Sequence, residues 1–292
     1  MKRYADLFVL TAGILWGIAG LFVNFLTKLG FTTIQLSALR WIFSAILMVF
    51  IVFIFDKKLL KIQFKDIWVF VCTGIVCILL SSTLYFVTIP LATVAVANIM
   101  MYTSPIWILI FSLFFLKEKL TAKKIICLIL AFLGCASATG IISSGSLKIT
   151  PLSIVTGLGS GLFYGLYSII GKIALKKYDS ITVTLYTAVF AGIGALFMLN
   201  IPQTAELIAA QPKATVPALC GLVILITIAP YTLYTIGLRL TTASRASIIC
   251  CVEPMTSAII GTLIIGEPFT FSQFLGIIMI LGAGILLQFK DK

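Results

Sequence analysis

Apolar runs long enough to cross a lipid bilayer occupy almost the whole chain. An α-helix needs about 20 predominantly apolar residues to span the hydrocarbon core. Only 10% of the 292 residues are charged, whereas soluble domains carry about 25%. The sequence therefore predicts an all-α integral membrane protein with ten transmembrane helices. The predicted spans are residues 5–27, 32–55, 66–88, 92–116, 122–142, 152–175, 180–200, 216–238, 244–265 and 271–289.

Two stretches of the chain repeat one another at a distance of 149 residues. Residues 82–121 align with residues 231–270 without a gap, and eleven of the forty positions are identical. The identical positions include a proline inside an apolar run and a glutamate that closes it. We therefore predict two repeats of five helices, residues 1–147 and residues 148–292.

Basic residues lie at opposite ends of the two copies, which indicates how the copies are oriented. Lysine and arginine collect on the cytoplasmic side of a membrane. With the N-terminus inside, seventeen of the 21 basic residues fall on that side, Lys28, Lys148 and Lys213 fall on the other, and Arg40 lies within a span. We predict inverted repeats, as in many transporters, with both termini cytoplasmic.

The net charge of +12 follows from the same distribution. A basic cytoplasmic face meets anionic lipid head groups, so we expect membrane lipids and not nucleic acid as partners. The chain has no histidine, and its seven cysteines lie within apolar runs without a CxxC pair. We therefore expect no metal site, no cofactor and no enzymatic activity.

Two charged residues lie inside apolar runs. Each costs about 2.5–3.5 kcal/mol at a helix centre, so such residues usually face a partner or a wet cavity. We hypothesise that Glu253 lines a translocation path, where it holds a proton or a cationic group, and that Arg40 braces the bundle. The alternative is that both are structural, as paired or capping groups. Glu118 and Glu267 follow span ends at opposite membrane faces, where each could cap the helix that begins at Thr121 or Thr270.

Polar and aromatic residues follow single helix faces at spacings of three and four. Polar side chains find no hydrogen-bond partners in lipid, so we expect these stripes to face the interior of the bundle. The alternative is that the aromatic residues anchor the helices at the membrane interfaces. Rings around a central volume suit amphipathic or cationic solutes, through cation–π attraction of about 0.5–2 kcal/mol. The candidate substrate-binding residues are Trp16, Tyr85, Asn98, Tyr102, Tyr164, Tyr167, Tyr231, Tyr234 and Glu253.

Prolines within spans predict bends, because each removes a backbone hydrogen bond. Pro105, Pro230 and Pro254 lie well inside predicted spans and are candidate hinges. The longest connection, roughly residues 200–216, carries Pro202 and Pro212, and Pro217 follows it directly. It is predicted to be an extracytoplasmic loop.

Short motifs occur in the same order in the two copies. The first copy carries Leu15-Trp16-Gly17, Leu39-Arg40, Tyr85, Pro105 and Glu118-Lys-Leu-Thr121, and the second carries Tyr164-Gly165, Lys172, Tyr234, Glu253-Pro254 and Gly266-Glu267. The order of these motifs, found twice, resembles the EamA family of the drug/metabolite transporter superfamily. The resemblance covers nearly the whole chain and implies a ten-helix inverted-repeat bundle around a central cavity. One departure is Asn24, where the family often has a lysine; the second copy keeps Lys172.

The resemblance also implies a function. The family carries small metabolites, commonly amino acids and related compounds and often outward, so we expect a secondary transporter in the plasma membrane of a bacterium, working by alternating access. A GxxxxGK[ST] nucleotide loop is absent from the sequence, so a gradient would drive transport. The alternative substrate is a quaternary or primary amine such as choline. Helix faces rich in glycine and alanine allow a homodimer without requiring one.

Overall fold

The computed structural model describes residues 2–139, 149–266 and 268–289. Within these residues, seven helices are long and apolar enough to cross a membrane. The prediction of an all-α membrane protein is therefore confirmed, and the chain is a multi-pass membrane protein. The seven helices are Tyr4–Lys28, Thr33–Phe55, Phe64–Leu91, Val94–Phe115, Pro151–Ala174, Pro212–Leu240 and Ala243–Ile265.

Breaks divide several of these spans into shorter helices. In chain order the helices are α1 (Lys2–Gly17), α2 (Ala19–Lys28), α3 (Thr33–Phe55), α4 (Ile67–Val71), α5 (Ser81–Leu91), α6 (Val94–Met101), α7 (Ser104–Phe115), α8 (Ala122–Ala138), α9 (Pro151–Ala174), α10 (Ser180–Leu196), α11 (Ile201–Ala210), α12 (Pro212–Val223), α13 (Ala229–Leu240), α14 (Ala243–Cys250), α15 (Val252–Ile260) and α16 (Phe271–Leu286). The π-helical segments Cys72–Leu80 and Ile224–Ile228 join α4 to α5 and α12 to α13, and Gly261–Ile265 follows α15.

Three of the predicted spans are shorter than the sequence suggested. α10 ends at Leu196, and α11 follows it at an angle of 103°. α8 has 17 residues and α16 has 16. The predicted span 122–142 also runs into residues 140–148, which lie outside the described part of the chain.

The prediction of an extended loop over residues 200–216 was wrong, because most of this segment is helical. The side chain of Asn200 caps α11 by accepting the backbone N–H of Gln203 at 3.3 Å. Pro202 and Pro212 occupy the first turns of α11 and α12. A proline there costs no hydrogen bond, because the first N–H groups of a helix have no intrahelical partner. The prolines therefore start helices in this segment.

Threonines begin helices at matching positions of the two repeated stretches. The hydroxyl of Thr93 caps α6, and that of Thr242 caps α14. In the same way Thr121 caps α8 and Thr270 caps α16. An N-cap threonine satisfies one of the backbone N–H groups that a helix start leaves unpaired. The identity of these positions at a distance of 149 residues therefore reflects the same local structure.

The main helix pairs join the first half of the chain to the second. α1 packs along α13 and α5 packs along α9, while α3 packs on α10 and α8 packs on α16. A shift of 149 residues along the chain takes α1 to α9 and α5 to α13, so each of the first two pairs becomes the other. The same shift takes α3 to α10 and α8 to α16, so each of the last two pairs joins a helix to its own counterpart. The bundle is thus made of two halves in which matching helices have matching partners.

The basic segments of the chain come together at one end of this bundle, which we call the basic face. Asp6 accepts from Arg245 at 2.8 Å, Arg239 donates to Asp179 at 2.6 Å, and Lys177 pairs with Asp66. These contacts bring the start of α1, the start of α10 and the end of α13 to the same face. The opposite end, which we call the far face, contains the hydrogen bond from Gln35 to Thr204 at 3.3 Å.

Glycines allow close packing against two helix breaks. A Cβ added at Gly17 of α1 would lie 2.7 Å from the Glu253 carbonyl oxygen and 2.5 Å from Thr256 Cβ. A Cβ added at Gly161 of α9 would lie 2.6 Å from the Met100 carbonyl oxygen. Small residues permit such backbone approach between helices in lipid. α1 therefore supports the break between α14 and α15, and α9 supports the break between α6 and α7.

Replacing Gly17 with alanine should destabilise the protein. The new methyl group would overlap backbone atoms of α15, and overpacking of this kind costs about 1–3 kcal/mol. We expect a lower thermal unfolding temperature in detergent for Gly17→Ala. Gly20→Ala is the matched control, because a Cβ at Gly20 meets nothing within 4 Å and alanine favours a helix. Equal unfolding temperatures for the two variants would contradict the packing described above.

Candidate functional site

Glu253 lies at a break in the middle of a membrane span. α14 ends at Cys250 and α15 begins at Val252, so the Glu253 carboxylate occupies the first turn of α15. Unpaired backbone N–H groups give a helix N-terminus a partial positive charge, which stabilises a carboxylate there. The side chain of Glu253 is half-buried. The break thus provides a favourable position for a negative charge at membrane depth.

Four tyrosines lie within electrostatic range of this carboxylate. They are Tyr85, Tyr102, Tyr164 and Tyr231. Two of these tyrosines come from each half of the chain. Their hydroxyls and ring faces give the surroundings of Glu253 both hydrogen-bonding groups and surfaces that attract cations.

A matching break places Tyr102 in this site. α6 ends at Met101 and α7 begins at Ser104, so Tyr102 lies between two half-helices. Asn98, one turn earlier on α6, accepts a hydrogen bond from the Tyr85 hydroxyl at 2.7 Å. Discontinuous helices at membrane depth leave backbone groups free for a ligand. The spans that carry Tyr102 and Glu253 are both broken beside these residues.

A cluster of aromatic rings lies beside Glu253 on the side of the basic face. The ring of Trp16 lies 4.9 Å from that of Tyr231 and 5.6 Å from that of Tyr234, and Tyr167 lies 5.6 Å from Tyr231. The hydroxyl of Tyr234 is 2.7 Å from Ser168 Oγ. Trp16, Tyr164, Tyr167 and Tyr234 line a cavity of about 30 Å³, which has room for about one water molecule.

Arg40 reaches the same region from α3. Its Cζ atom lies 5.4 Å from the centre of the Trp41 ring, and that ring lies 4.9 Å from Tyr231. Arg40 interacts electrostatically with both Tyr231 and Glu253. Trp41 was not identified as a candidate from the sequence, although its position next to a charge inside a span was a usable signal.

The bundle is closed at the basic face by contacts between its two halves. The Glu118 carboxylate, after α7, accepts from the backbone N–H of Ala243 at 2.7 Å and from the hydroxyl of Ser244. Within the second half, the Lys172 ammonium donates to the backbone carbonyls of Leu238 and Thr241 at the end of α13. The sequence suggested Glu118 as a cap for the helix at Thr121, but Thr121 caps that helix itself. Glu118 instead caps α14, in the other half of the chain.

Side chains toward the far face are less buried. On the basic side of the Glu253 break, every residue of α14 except Arg245 and Cys250 is buried. On the far side, residues Met255, Ile259, Ile260 and Thr262 are half-buried, and Leu263 is 78% exposed. Asn98, Ile99, Met100 and Met101 of α6 are also half-buried. The site is therefore sealed toward the basic face.

The candidate hinge prolines all lie in the first turn of a helix. Pro105 and Pro230 are the second residues of α7 and α13, and Pro254 is the third residue of α15. Proline fits the first helical turn and cannot continue a preceding one, which accounts for the breaks beside Pro105 and Pro254. Hinge motion at these positions stays a prediction. Glu267 lies outside the described residues.

The comparisons with known proteins agree on one class. The model of the EamA-like transporter family matches residues 3–140 and 151–289. An uncharacterized inner membrane transporter, YicL of Salmonella typhimurium, is 24% identical over 99% of this chain and 97% of its own length. The uncharacterized transporter YetK of Bacillus subtilis is 24% identical over 88% of this chain and 78% of its own length. A solved crystal structure with 18% identity has a TM-score of 0.79 over 98% of this chain and 97% of that chain, which supports the fold.

The multi-span fold, the charged site at membrane depth and these matches define a membrane transporter. The chain belongs to the EamA-like transporter family, since the family model covers nearly all of it. The resemblance found in the sequence is confirmed.

Proposed function

We propose that this protein is a secondary active transporter that moves small polar metabolites, amino acids or related compounds, out of the cell by alternating access. The observation that carries the proposal is the position of Glu253. The half-buried carboxylate lies at a helix break, within electrostatic range of tyrosines from both halves of the chain. A charged group at membrane depth is costly and usually marks a transport path.

The packing of the halves supports an inverted-repeat mechanism. α8 begins at the basic face, where Lys123 donates to the carbonyl of Phe289, and its counterpart α16 ends there. Two halves of opposite orientation can exchange roles when they rock about a central site. We therefore propose that residues 1–147 and 148–292 form the two moving units, with the basic face toward the cytoplasm of a bacterial cell.

A contact that closes one face supports alternating access. In the conformation described here, Glu118 of the first half binds Ala243 and Ser244 of the second half at the basic face. The conformation would correspond to a transporter closed toward the basic face. The opposite conformation would require this contact to break.

A second candidate substrate is a quaternary or primary amine such as choline. The observation that favours it is the grouping of four tyrosines around one carboxylate, because aromatic faces and a negative charge both attract cations. The positive charge of Arg40 nearby argues against a purely cationic substrate, so amino acids remain the first candidates.

Solute flux into proteoliposomes tests the proposed function. We expect at least one radiolabelled amino acid to accumulate when a pH gradient is imposed, and to equilibrate without it. Empty liposomes are the control for passive leak of each solute. If neither amino acids nor amines cross faster than in empty liposomes, the proposed function is wrong. If only choline crosses, the second candidate replaces the first.

A further inference from the structure

We propose that a groove between α3 and α10 is a binding site for an anionic phospholipid, with one acyl chain in the groove and the phosphate at Lys57 and Lys58. The inference does not depend on the proposed transport function, because the groove lies on the outside of the bundle, away from Glu253. It assigns one ligand to one site, whereas the sequence only led us to expect that the basic face as a whole meets anionic head groups.

The groove is apolar and open to the outside of the bundle. It has a volume of about 600 Å³, and within the described part of the chain all ten residues that line it are apolar. On α3 these residues recur at spacings of three and four from Ile42 to Phe53, and on α10 from Val189 to Leu196, so each helix contributes one face. Phe50 and Phe53 are more than half exposed. In a membrane this surface therefore meets acyl chains.

The length of the groove matches one leaflet of a bilayer. From Ile42 to Phe53 the helix rises by about 16 Å, at about 1.5 Å per residue. The hydrocarbon core of a bilayer is about 30 Å thick, so one leaflet is about 15 Å deep. α3 ends at Phe55, and Asp66 shortly beyond it pairs with Lys177 at the basic face. The groove thus runs from the basic face to about the middle of the membrane, as does an acyl chain of that leaflet.

Positive charge lies at the basic-face end of the groove. The Lys57 ammonium is 4.2 Å from the centre of the Phe53 ring, and Phe53 lines the groove. Lys57 and Lys58 are both exposed. Residues 56–66 carry four lysines and two aspartates, and the Asp56 carboxylate accepts the backbone N–H of Lys58 at 3.0 Å. The segment therefore has a net positive charge, which attracts anionic lipid head groups.

The segment that carries these lysines is fixed to α10. The Thr182 hydroxyl donates to the carbonyl of Leu59 at 2.9 Å, and the Tyr186 hydroxyl donates to the carbonyl of Leu60 at 2.6 Å. Since α10 forms one side of the groove, these bonds hold the lysines at a constant position relative to it. A fixed arrangement of charge and groove loses little conformational entropy when a lipid binds.

A second copy of this chain fits the groove less well than a lipid does. Two copies inserted in the same orientation would meet through a two-fold axis along the membrane normal, which brings the same surface of each together. The lysines at the ends of the two grooves would then repel each other. Small residues that let helices approach closely are also engaged already, because a Cβ added at Gly192 would lie 3.1 Å from Ala45 Cβ.

Native mass spectrometry of the purified protein tests this inference, because it counts bound lipids and copies of the chain in one measurement. The protein is titrated with phosphatidylglycerol and with phosphatidylcholine of the same acyl chains. We expect one phosphatidylglycerol to bind at least about ten times more tightly, because only this lipid carries a net negative charge. Glycerol phosphate, which lacks acyl chains, should not bind at the same concentration.

A double variant tests the role of the lysines. In Lys57→Gln/Lys58→Gln the preference for phosphatidylglycerol should fall to about threefold or less, because the charge nearest the groove is lost. Lys117→Gln/Lys119→Gln is the matched control, because both lysines are exposed and lie beside Glu118 at another part of the basic face. This variant should keep the wild-type preference.

A second variant tests the groove itself. Val49 lines the groove and is 41% exposed, so the larger side chain of Val49→Trp should occupy the space of the acyl chain. It should weaken the binding of both phospholipids about tenfold or more, by removal of apolar contact area. Ile51→Trp is the matched control, because Ile51 is 39% exposed on the same helix and lies outside the groove. This variant should bind both lipids as wild type does.

Four results would overturn the inference. The first is equal binding of the two phospholipids to wild type, and the second is the full preference in Lys57→Gln/Lys58→Gln. The third is binding of glycerol phosphate as tight as that of phosphatidylglycerol, which would leave the groove without a role. The fourth is a wild-type dimer that Val49→Trp, but not Ile51→Trp, converts to a monomer, because a second copy would then occupy the groove.

Discussion

Replacing Glu253 with glutamine should abolish most transport while leaving the protein at least as stable as wild type. A hydrogen bond to a charged group contributes about 1.5–3 kcal/mol, so the loss of the carboxylate should weaken substrate binding by about tenfold or more. Removal of a charge from the middle of a span also removes a cost of about 2.5–3.5 kcal/mol on insertion scales. Transport should therefore fall as the unfolding temperature stays level or rises.

This combination separates a transport role of Glu253 from a structural one. Flux in proteoliposomes and thermal unfolding in detergent are measured on the same preparation. Glu206→Gln is the matched control, because Glu206 is exposed on α11 and the same substitution there should change neither quantity. If Glu253→Gln transports at the wild-type rate, Glu253 has no part in the mechanism. If it unfolds at a clearly lower temperature, the carboxylate holds the fold together.

Replacing Glu118 with alanine should open the basic face. The Glu118 carboxylate accepts from the N–H of Ala243 at 2.7 Å and from Ser244 Oγ, and its side chain is only 8% exposed. Each hydrogen bond to this charge contributes about 1.5–3 kcal/mol, and 1.4 kcal/mol corresponds to a tenfold change in an equilibrium. We therefore expect the population open at the basic face to rise at least tenfold.

The distance between spin labels at positions 119 and 240 reports this change. Lys119 and Leu240 are exposed and lie on either side of the Glu118 contact. In Glu118→Ala the distance distribution should gain a longer component, and transport should slow because the closed state is less populated. Lys58→Ala, at another exposed site of the basic face, should leave the distribution as in wild type. An unchanged distribution in Glu118→Ala would show that this contact does not hold the face closed.

The sequence predicted the features that depend on local composition. Apolar runs predicted the membrane helices, and the repeated threonines coincide with helix starts because a hydroxyl at an N-cap acts on residues three positions away. Pro105 and Pro254 predicted irregular helices, which the structure contains at those positions. The distribution of basic residues along the chain predicted which segments would meet at one face. The ion pairs at the basic face join residues of these segments.

Contacts between distant parts of the chain were not predictable in the same way. Glu118 was expected to act on the next helix, where it pairs with Lys124 at 3.4 Å, but it also binds Ala243, 125 positions further on. The role of Trp41 depends on the packing of α3 beside Tyr231, which no local pattern encodes. The helix Ile201–Ala210 was missed because three prolines suggested a loop, although two of them fit first helical turns.

Two distances measured together test the central claim, which is that the halves of the chain alternate between faces around Glu253. One pair of spin labels at positions 119 and 240 spans the basic face, and a second pair at exposed positions 94 and 264 spans the far face. On addition of a transported substrate to wild type, the first distance should lengthen and the second should shorten. If both distances stay constant while substrate crosses the membrane, or if both change in the same direction, the halves do not alternate.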